Sequence, residues 1–376
     1  MLRVVVIGVG PAGAAALRRL EELGVKAIGI ERKKSLETPT VCGEFLPEPT
    51  AISFISNKPS VKKAYQYIAL ARKLNTFREV HLEIEGIKTF KMKIPGFTVN
   101  RKELVEKLAG NSELILGDDI VSVLKTPDGY LIKTRKGVSI ESEYIIAADG
   151  FPSTTRRIVN CPARLSEVDL ALGINVKAET PNMDKKIVYM YASPKTPGGY
   201  AWIIPYNGSV SNVGVGIRYN FVKKGENISY LLEEFIRLNP KGFLTDYSLL
   251  EAPRSRWIPV SGFYGSPVCG HVLFAGDSLG ATNPINGGGI FTSMSLGILA
   301  ADAVWLDNPT VYEQRAWNEI GSILEIGRAY RKLVDWFFEN WSYAKIISLL
   351  PNTLITRIIK GEKTLLYPLL TLGTRS

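Results

Sequence analysis

The chain has 376 residues, longer than one ordinary domain, and a content of 45% hydrophobic and 22% charged residues excludes intrinsic disorder. Lysine plus arginine (46) exceeds aspartate plus glutamate (36), an excess in short clusters that fits solvated faces first and otherwise a phosphate-bearing ligand or an anionic membrane surface, while no zinc finger or long basic helix argues for nucleic acid. The three cysteines, Cys42, Cys161 and Cys269, form no CxxC, which excludes an all-cysteine iron–sulfur cluster, disfavours structural zinc and fits a reducing cytosol.

The opening MLRVVVIGVG superficially resembles a signal peptide, but it is broken by glycines and leads into a glycine-rich turn, so it reads as a first β-strand buried on both faces. GPAGAAALRRLEELG then reads as a helix ending at Gly24, with Arg18, Arg19, Glu21 and Glu22 on its wet side. KAIGIE returns as a parallel strand ending at Glu31. VHLEIEGIKTFKMKI alternates and turns at Glu85-Gly86, a β-hairpin. A helix in NRKELVEKLAG is followed by strands through SELILGD, DGYLIKT and YIIAADG. Residues 160–265 are strand-like with Pro and Gly punctuation and predict a separate antiparallel sheet. HVLFAGD and the helix after Gly289 resume the α/β pattern. The apolar run from Gly287 to Leu306 is long enough to cross a bilayer, yet Thr292, Ser293, Ser295 and Asp302 within it predict a buried helix against a cofactor. From about residue 311 the chain is helical and rich in Trp, Phe and Leu. The expected fold is α/β plus antiparallel β. Residues 1–75, 97–160 and 268–310 would form a Rossmann-type domain, 76–96 and 161–267 an interleaved substrate domain, and 311–376 a C-terminal helical region.

Gly8-Val9-Gly10-Pro11-Ala12-Gly13 is a GxGxxG between a strand and a helix. Its glycines allow a tight turn, close approach of backbone to a pyrophosphate and close helix–strand packing. Glu31 is placed to accept hydrogen bonds from an adenosine ribose. Two further buried strands deliver acids at their carboxyl ends, Asp149-Gly150 and Gly276-Asp277. A nicotinamide enzyme needs no second acidic strand end after its substrate domain, whereas a protein holding FAD lengthwise does, with Asp277 at the ribityl–phosphate region. Farther along, PGGYAWIIP (197–205) puts Tyr200 and Trp202 on one face of a strand as a two-ring wall. The same two rings would serve as core aromatics if that face is covered. His81 falls in the hairpin and His271 at the start of a buried strand, and no metal motif or hydrolytic triad is present.

With these residues the chain resembles the FAD-dependent oxidoreductases of the p-hydroxybenzoate hydroxylase fold, and within them the geranylgeranyl reductase family, up to about residue 310. The matching parts are the GxGxxG with Glu31-Arg32, VCGEFLP at 41–47, VNRKELVEKL at 99–108, ADG at 148–150, and GDSLGATNPINGGGI at 276–290. The resemblance implies that Arg101 binds FAD phosphate and that the main chain near Ile120 touches the adenine. It puts Cys42 and Gly43 beside the isoalloxazine, and Gly287, Gly288, Gly289 and Ile290 at its pyrimidine edge, where N–H donors and a helix dipole stabilise negative charge. It also implies that Pro197, Tyr200, Trp202 and Pro205 line the isoprenoid cavity. Ile204 departs from the family's phenylalanine and is similar to the WxWxIP of flavin-dependent halogenases, while Cys42-Gly43-Glu44 belongs to the reductase pattern.

The implied activity is reduction of carbon–carbon double bonds in a geranylgeranyl lipid precursor or geranylgeranyl diphosphate, with Tyr200, Cys42 or an ordered water as proton donor. The alternatives are a flavin monooxygenase or halogenase, or an electron-transfer flavoprotein feeding a quinone. The electron donor stays open between NADPH, ferredoxin and another carrier. The expected location is the cytoplasm, peripheral at the inner membrane surface. Trp336, Phe337, Phe338, Trp341 and Tyr343, close to Lys345, Arg357, Lys360 and Lys363, would help cover the lipid cavity and rest on a membrane surface, or pack as a helical layer on the main domain.

Overall fold

In a computed structural model of the chain, residues 1–36, 41–221, 227–245 and 250–371 are described. Leu2–Ile7 lies at the centre of the first sheet, parallel to Ala27–Glu31 on one side and Ser139–Ala147 on the other. Val4, Val5 and Val6 have no exposed surface, which is why this strand is apolar on both faces. The sheet continues through Glu113–Leu116 at one edge and Val272–Phe274 and Val268–Cys269 at the other. Helices Pro11–Glu22 and Ile290–Trp305 cross so closely that a Cβ on Gly297 would lie 2.0 Å from the Ala12 carbonyl oxygen. The second helix is therefore buried as the sequence predicts, and its Asp302 is held by Arg19 at 2.7 Å and Arg315 at 2.9 Å. No helix among the described residues is long and apolar enough to cross a membrane.

The second sheet has seven strands, in the order Arg254–Pro259, Leu170–Glu179, Val210–Arg218, Tyr200–Asn207, Ile187–Ala192, Glu79–Ile84 and Lys88–Met92. Its last two strands are the expected hairpin, which joins parallel to Ile187–Ala192 from far along the chain. Alternation sorts the two faces. Ile174, Val176, Val213, Val215, Ala201 and Ile203 pack with helix Ile228–Leu238, which the sequence reading did not resolve within 160–265. Trp202, Ile204, Val188 and Met190 belong to a different cluster on the other side. A small third sheet, Phe45–Pro47, Gly96–Val99 and Lys73–Phe77, was also not anticipated.

Helix Ser322–Glu339 is fastened to the second sheet and to the turn that precedes its strand Leu170–Glu179 by ion pairs with buried arginines. Arg218 meets Asp335 at 2.9 Å, and Arg331 meets Asp169 at 3.0 Å.

Cys161 and Cys269 are joined in a disulfide, which corrects the reading of the cysteines as those of a reducing compartment. They are 108 residues apart, and no local spacing could pair them; the edge strand Val268–Cys269 brings their Cα atoms to 6.2 Å. Closing a loop of that length contributes about 4–5 kcal/mol in the chain-entropy account. Reduction, or the double change Cys161→Ser with Cys269→Ser, is expected to lower the melting temperature. A melting curve indifferent to reductant would show that the pair is not bonded in solution.

Candidate active site

Strand Leu2–Ile7 ends at Gly8, whose φ of +87° and N–H to the Ile30 carbonyl (2.7 Å) turn the chain sharply into the following helix. Space at the three fingerprint glycines differs. A Cβ on Gly8 would meet the Ala148 oxygen at 2.4 Å and one on Gly13 the Gly8 oxygen at 1.9 Å, whereas one on Gly10 would meet nothing within 4 Å. The first two are required by packing, and Gly10 keeps space open at a helix N-terminus whose first N–H groups lack intrahelical acceptors. Glu31 is buried, and its carboxylate accepts the Val9 N–H at 2.8 Å and the Lys33 N–H at 3.0 Å. It thereby clamps the glycine turn, with lone pairs left for ribose hydroxyls.

A cavity of about 810 Å³ runs along this edge. Gly8, Gly10, Pro11, Ala12, Glu31 and Arg32 line one end, with Arg101 beside them at the start of a helix capped by Asn100. Ile120 is in the core and does not line the cavity; its neighbour Asp119 does. Gly13 is likewise behind the wall. The two strand-end acids behave differently. Asp149 and Gly150 line the cavity, but the Asp149 carboxylate is engaged inside the protein by Ser153 Oγ (2.8 Å), Thr155 N–H (2.8 Å) and Thr155 Oγ1 (3.0 Å). Burial pushes its pKa up, against the pull of these donors. Asp277, after Gly276, accepts Arg256 Nη2 at 2.9 Å and Thr282 Oγ1 at 3.2 Å. Arg256 reaches it from the second sheet and lines the cavity. No sequence motif marks it.

Gly287 (φ +69°), Gly288 and Gly289 close the far side of the cofactor groove, with Gly289 capping helix Ile290–Trp305. Opposite stands the aromatic strand. Tyr200 and Trp202 share a face, ring centroids 6.1 Å apart and edge-on. The indole lies over a glycine trough, for a Cβ on Gly214 would meet Trp202 Cζ2 at 2.2 Å. Trp202 Nε1 donates to Asn212 Oδ1 (2.9 Å), and Asn212 Nδ2 donates to the Cys42 carbonyl (2.7 Å). The wall and the cysteine loop are thus one hydrogen-bonded unit, and Ile204 Cδ1 sits 2.8 Å from where a Gly43 Cβ would be.

The Tyr200 hydroxyl donates to the Asn286 carbonyl at 2.5 Å, and burial raises its pKa. Cys42 is half-buried, its thiol free, with Sγ accepting the Glu44 N–H at 3.3 Å. Val80, Ile94, Val188, Met190 and Ile359 complete an apolar end. Pro197 and Pro205 do not line the cavity; Gly198 and Gly199 do. His81 pairs with Glu79 in the hairpin and His271 stacks on Tyr144, both away from the cavity. No group of residues suited to a metal occurs among the described residues.

The groove fits FAD: open space at Gly10, a ribose acceptor at Glu31, cations at Arg32 and Arg101, and a helix N-terminus at the far end. Gly10→Val is expected to abolish flavin retention while the flavin-free protein melts as before. Gly13→Ala is expected to lower the melting temperature itself, since its Cβ would overlap backbone. Equal effects, read as flavin absorbance per protein and as melting temperature, would contradict this division of roles.

A family model described as the geranylgeranyl reductase catalytic domain matches residues 169–250, and one described as pyridine nucleotide-disulphide oxidoreductase matches 2–188. Digeranylgeranylglycerophospholipid reductase 2 of Methanosphaera stadtmanae is 25% identical, the alignment covering 95% of each chain. Digeranylgeranylglycerophospholipid reductase of Methanocaldococcus jannaschii is also 25% identical, over 84% of this chain and 82% of the relative. Among solved structures, a geranylgeranyl bacteriochlorophyll reductase-like protein of Thermoplasma acidophilum superposes with a TM-score of 0.79 at 18% identity, covering 100% of this chain and 96% of the other. A flavin-dependent brominase gives 0.70 at 16% identity, over 96% and 93%. The structural likenesses establish the fold. The chain is an FAD-dependent oxidoreductase. Its similarities in the catalytic-domain match and in its relatives are to the geranylgeranyl reductase family.

Proposed function

We propose that this reductase hydrogenates the carbon–carbon double bonds of geranylgeranyl groups in isoprenoid glycerophospholipid precursors. The observation that carries the reading is the continuity of the cavity from the dinucleotide groove to an apolar end walled by Trp202, Ile204 and Met190. Bound FAD, once reduced by an external donor, would supply hydride, and the chain must supply a proton to the neighbouring carbon, because an isolated alkene has no carbonyl to accept charge. We assign that proton to Cys42 Sγ. Tyr200 is the weaker candidate, since its hydroxyl is held by the Asn286 carbonyl and burial makes it a poorer acid. In this reading Tyr200 and Trp202 position the prenyl chain, Arg256 holds Asp277 in place for the cofactor, and the functional division follows the two sheets.

Mass spectrometry of a geranylgeranyl glycerophospholipid incubated with dithionite-reduced protein tests the proposal. A gain of two hydrogens for each bond reduced, without oxygen, is expected. Oxygen- and halide-dependent products would instead support the halogenase reading that Ile204 suggests. The reductant in the cell is an external donor, NADPH, ferredoxin or another carrier, and anaerobic flavin bleaching by each in turn would identify it.

We also propose that the C-terminal region rests on an anionic lipid surface. Trp336 is 44%, Tyr343 56%, Leu349 82% and Leu365 93% exposed, with Lys345, Arg357 and Lys363 nearby in sequence. Trp341, by contrast, packs on the apolar cluster beside the cavity. Cosedimentation with anionic liposomes is expected to fall as salt rises, and salt-independent binding would remove the electrostatic half of the idea.

A further inference from the structure

Asn286 touches three separate parts of the molecule. Its main-chain carbonyl accepts the Tyr200 hydroxyl at 2.5 Å, its Oδ1 accepts the Gly288 N–H at 2.8 Å, and its Nδ2 donates to the Ile359 carbonyl at 2.9 Å. The first partner belongs to the substrate sheet, the second to the glycine loop, and the third to the last turn of helix Asn352–Lys360. That helix covers the apolar end of the cavity. Ile355 and Ile359 pack in the cluster that holds Trp202, Ile204 and Met190, and Ile359 and Lys360 line the cavity itself.

The helix ends at Gly361, φ +75°, where a Cβ would lie 2.8 Å from Asn283 Nδ2. Asn283 in turn exchanges main-chain hydrogen bonds with the loop, its carbonyl accepting Gly287 N–H (2.9 Å) and its N–H donating to the Gly288 carbonyl (2.8 Å). The end of the covering helix and the glycine loop are therefore in direct contact.

We infer that Asn286 is a positioning residue that ties the covering helix to the glycine loop, so that a prenyl chain lying under the helix sets the orientation of the loop's N–H groups. The two side-chain bonds leave opposite atoms of one planar carboxamide. A chain entering beneath Ile355 and Ile359 displaces the helix, the Ile359 carbonyl moves with it, and the amide must turn as a unit, carrying Oδ1 relative to Gly288. Tyr200 anchors the same residue through its backbone, so the motion is taken up in the loop and not in the strand. The loop then presents its donors to the cofactor edge in one attitude when the cavity is empty and in another when it is filled. This inference rests on the prenyl-reductase reading above.

Asn286→Ser separates the two bonds. A serine hydroxyl can still accept the N–H two residues on, as in an ST turn, but is too short to reach Ile359. Hydrogen exchange and visible flavin absorbance are read on the holoenzyme, with and without a geranylgeranyl glycerophospholipid in detergent micelles. Without lipid, the variant is expected to keep its flavin spectrum while amides of Asn352–Lys360 exchange about fivefold faster, as loss of one hydrogen bond dictates. With lipid, the unmodified protein is expected to show slower exchange in both the helix and residues 287–290, and a shifted flavin band. The variant is expected to show protection of the helix alone and an unshifted band. A variant that responds in both segments as the unmodified protein does overturns the inference. Lipid that protects neither segment in the unmodified protein sinks the prenyl reading instead, and unchanged lipid-free helix exchange in the variant then overturns the tie by itself.

Discussion

Cys42→Ala is expected to slow alkene reduction by about 10²–10⁴-fold, the range for loss of a positioned proton donor, with flavin content and melting temperature near those of the unmodified protein. The thiol is free and half-buried, and its loop is held from two directions by Asn212 Nδ2 at the Cys42 carbonyl and by the Glu44–Lys177 ion pair at 2.7 Å. Removing Sγ leaves those two contacts in place but takes away the acceptor of the Glu44 N–H (3.3 Å), so a loss of turnover reports on the thiol only where flavin content and melting temperature are unchanged. Single-turnover reduction of a geranylgeranyl lipid by pre-reduced protein gives the rate directly. A rate close to that of the unmodified protein would return the role to Tyr200 or a water. Tyr200→Phe then separates these two, since it removes the hydroxyl that Asn286 holds.

Trp202→Ala is expected to destabilise the protein by about 3–5 kcal/mol as well as to depress reduction. On the sequence alone the aromatic wall faces either substrate or core, with opposite outcomes for stability. The structure makes Trp202 both: it lines the cavity, yet it is only 8% exposed and fills the trough over Gly214. Its removal also leaves Asn212 Oδ1 without the indole donor, and with it the tie to the cysteine loop. Denaturant melts and steady-state turnover of Trp202→Ala and Trp202→Phe test this. Stability equal to the unmodified protein in the alanine variant would mean the indole is not packed as described. Ile204→Phe carries a related expectation. The isoleucine Cδ1 already lies 2.8 Å from the Cβ position of Gly43, so a phenylalanine there must push the Cys42 loop as well as narrow the cavity. A change in which double bonds are reduced should therefore come with altered flavin absorbance. An unchanged product distribution would place position 204 away from the prenyl chain.

Much of the cofactor groove could be read directly from the chain because its chemistry is local. The turn at Gly8, the helix beginning at Pro11 and the strand ending at Glu31 are neighbours in sequence, and their spacing reflects the period of each element. The common face of Tyr200 and Trp202 follows from strand alternation, and the buried course of Ile290–Trp305 from its small and apolar residues. The family motifs extended this reading to Arg101 and the glycine loop. What stayed hidden lies between segments far apart in the chain. Arg256 reaches Asp277 from the other sheet, Asn212 joins Trp202 to Cys42, and Asn286 joins Tyr200 to Ile359. The Asp149 carboxylate points back at Thr155, and Cys161 meets Cys269 across 108 residues. A polar side chain within reach of several partners is directed by whichever donor or acceptor the packed strands bring to hydrogen-bond distance. That choice depends on strand order and register, which no local periodicity encodes.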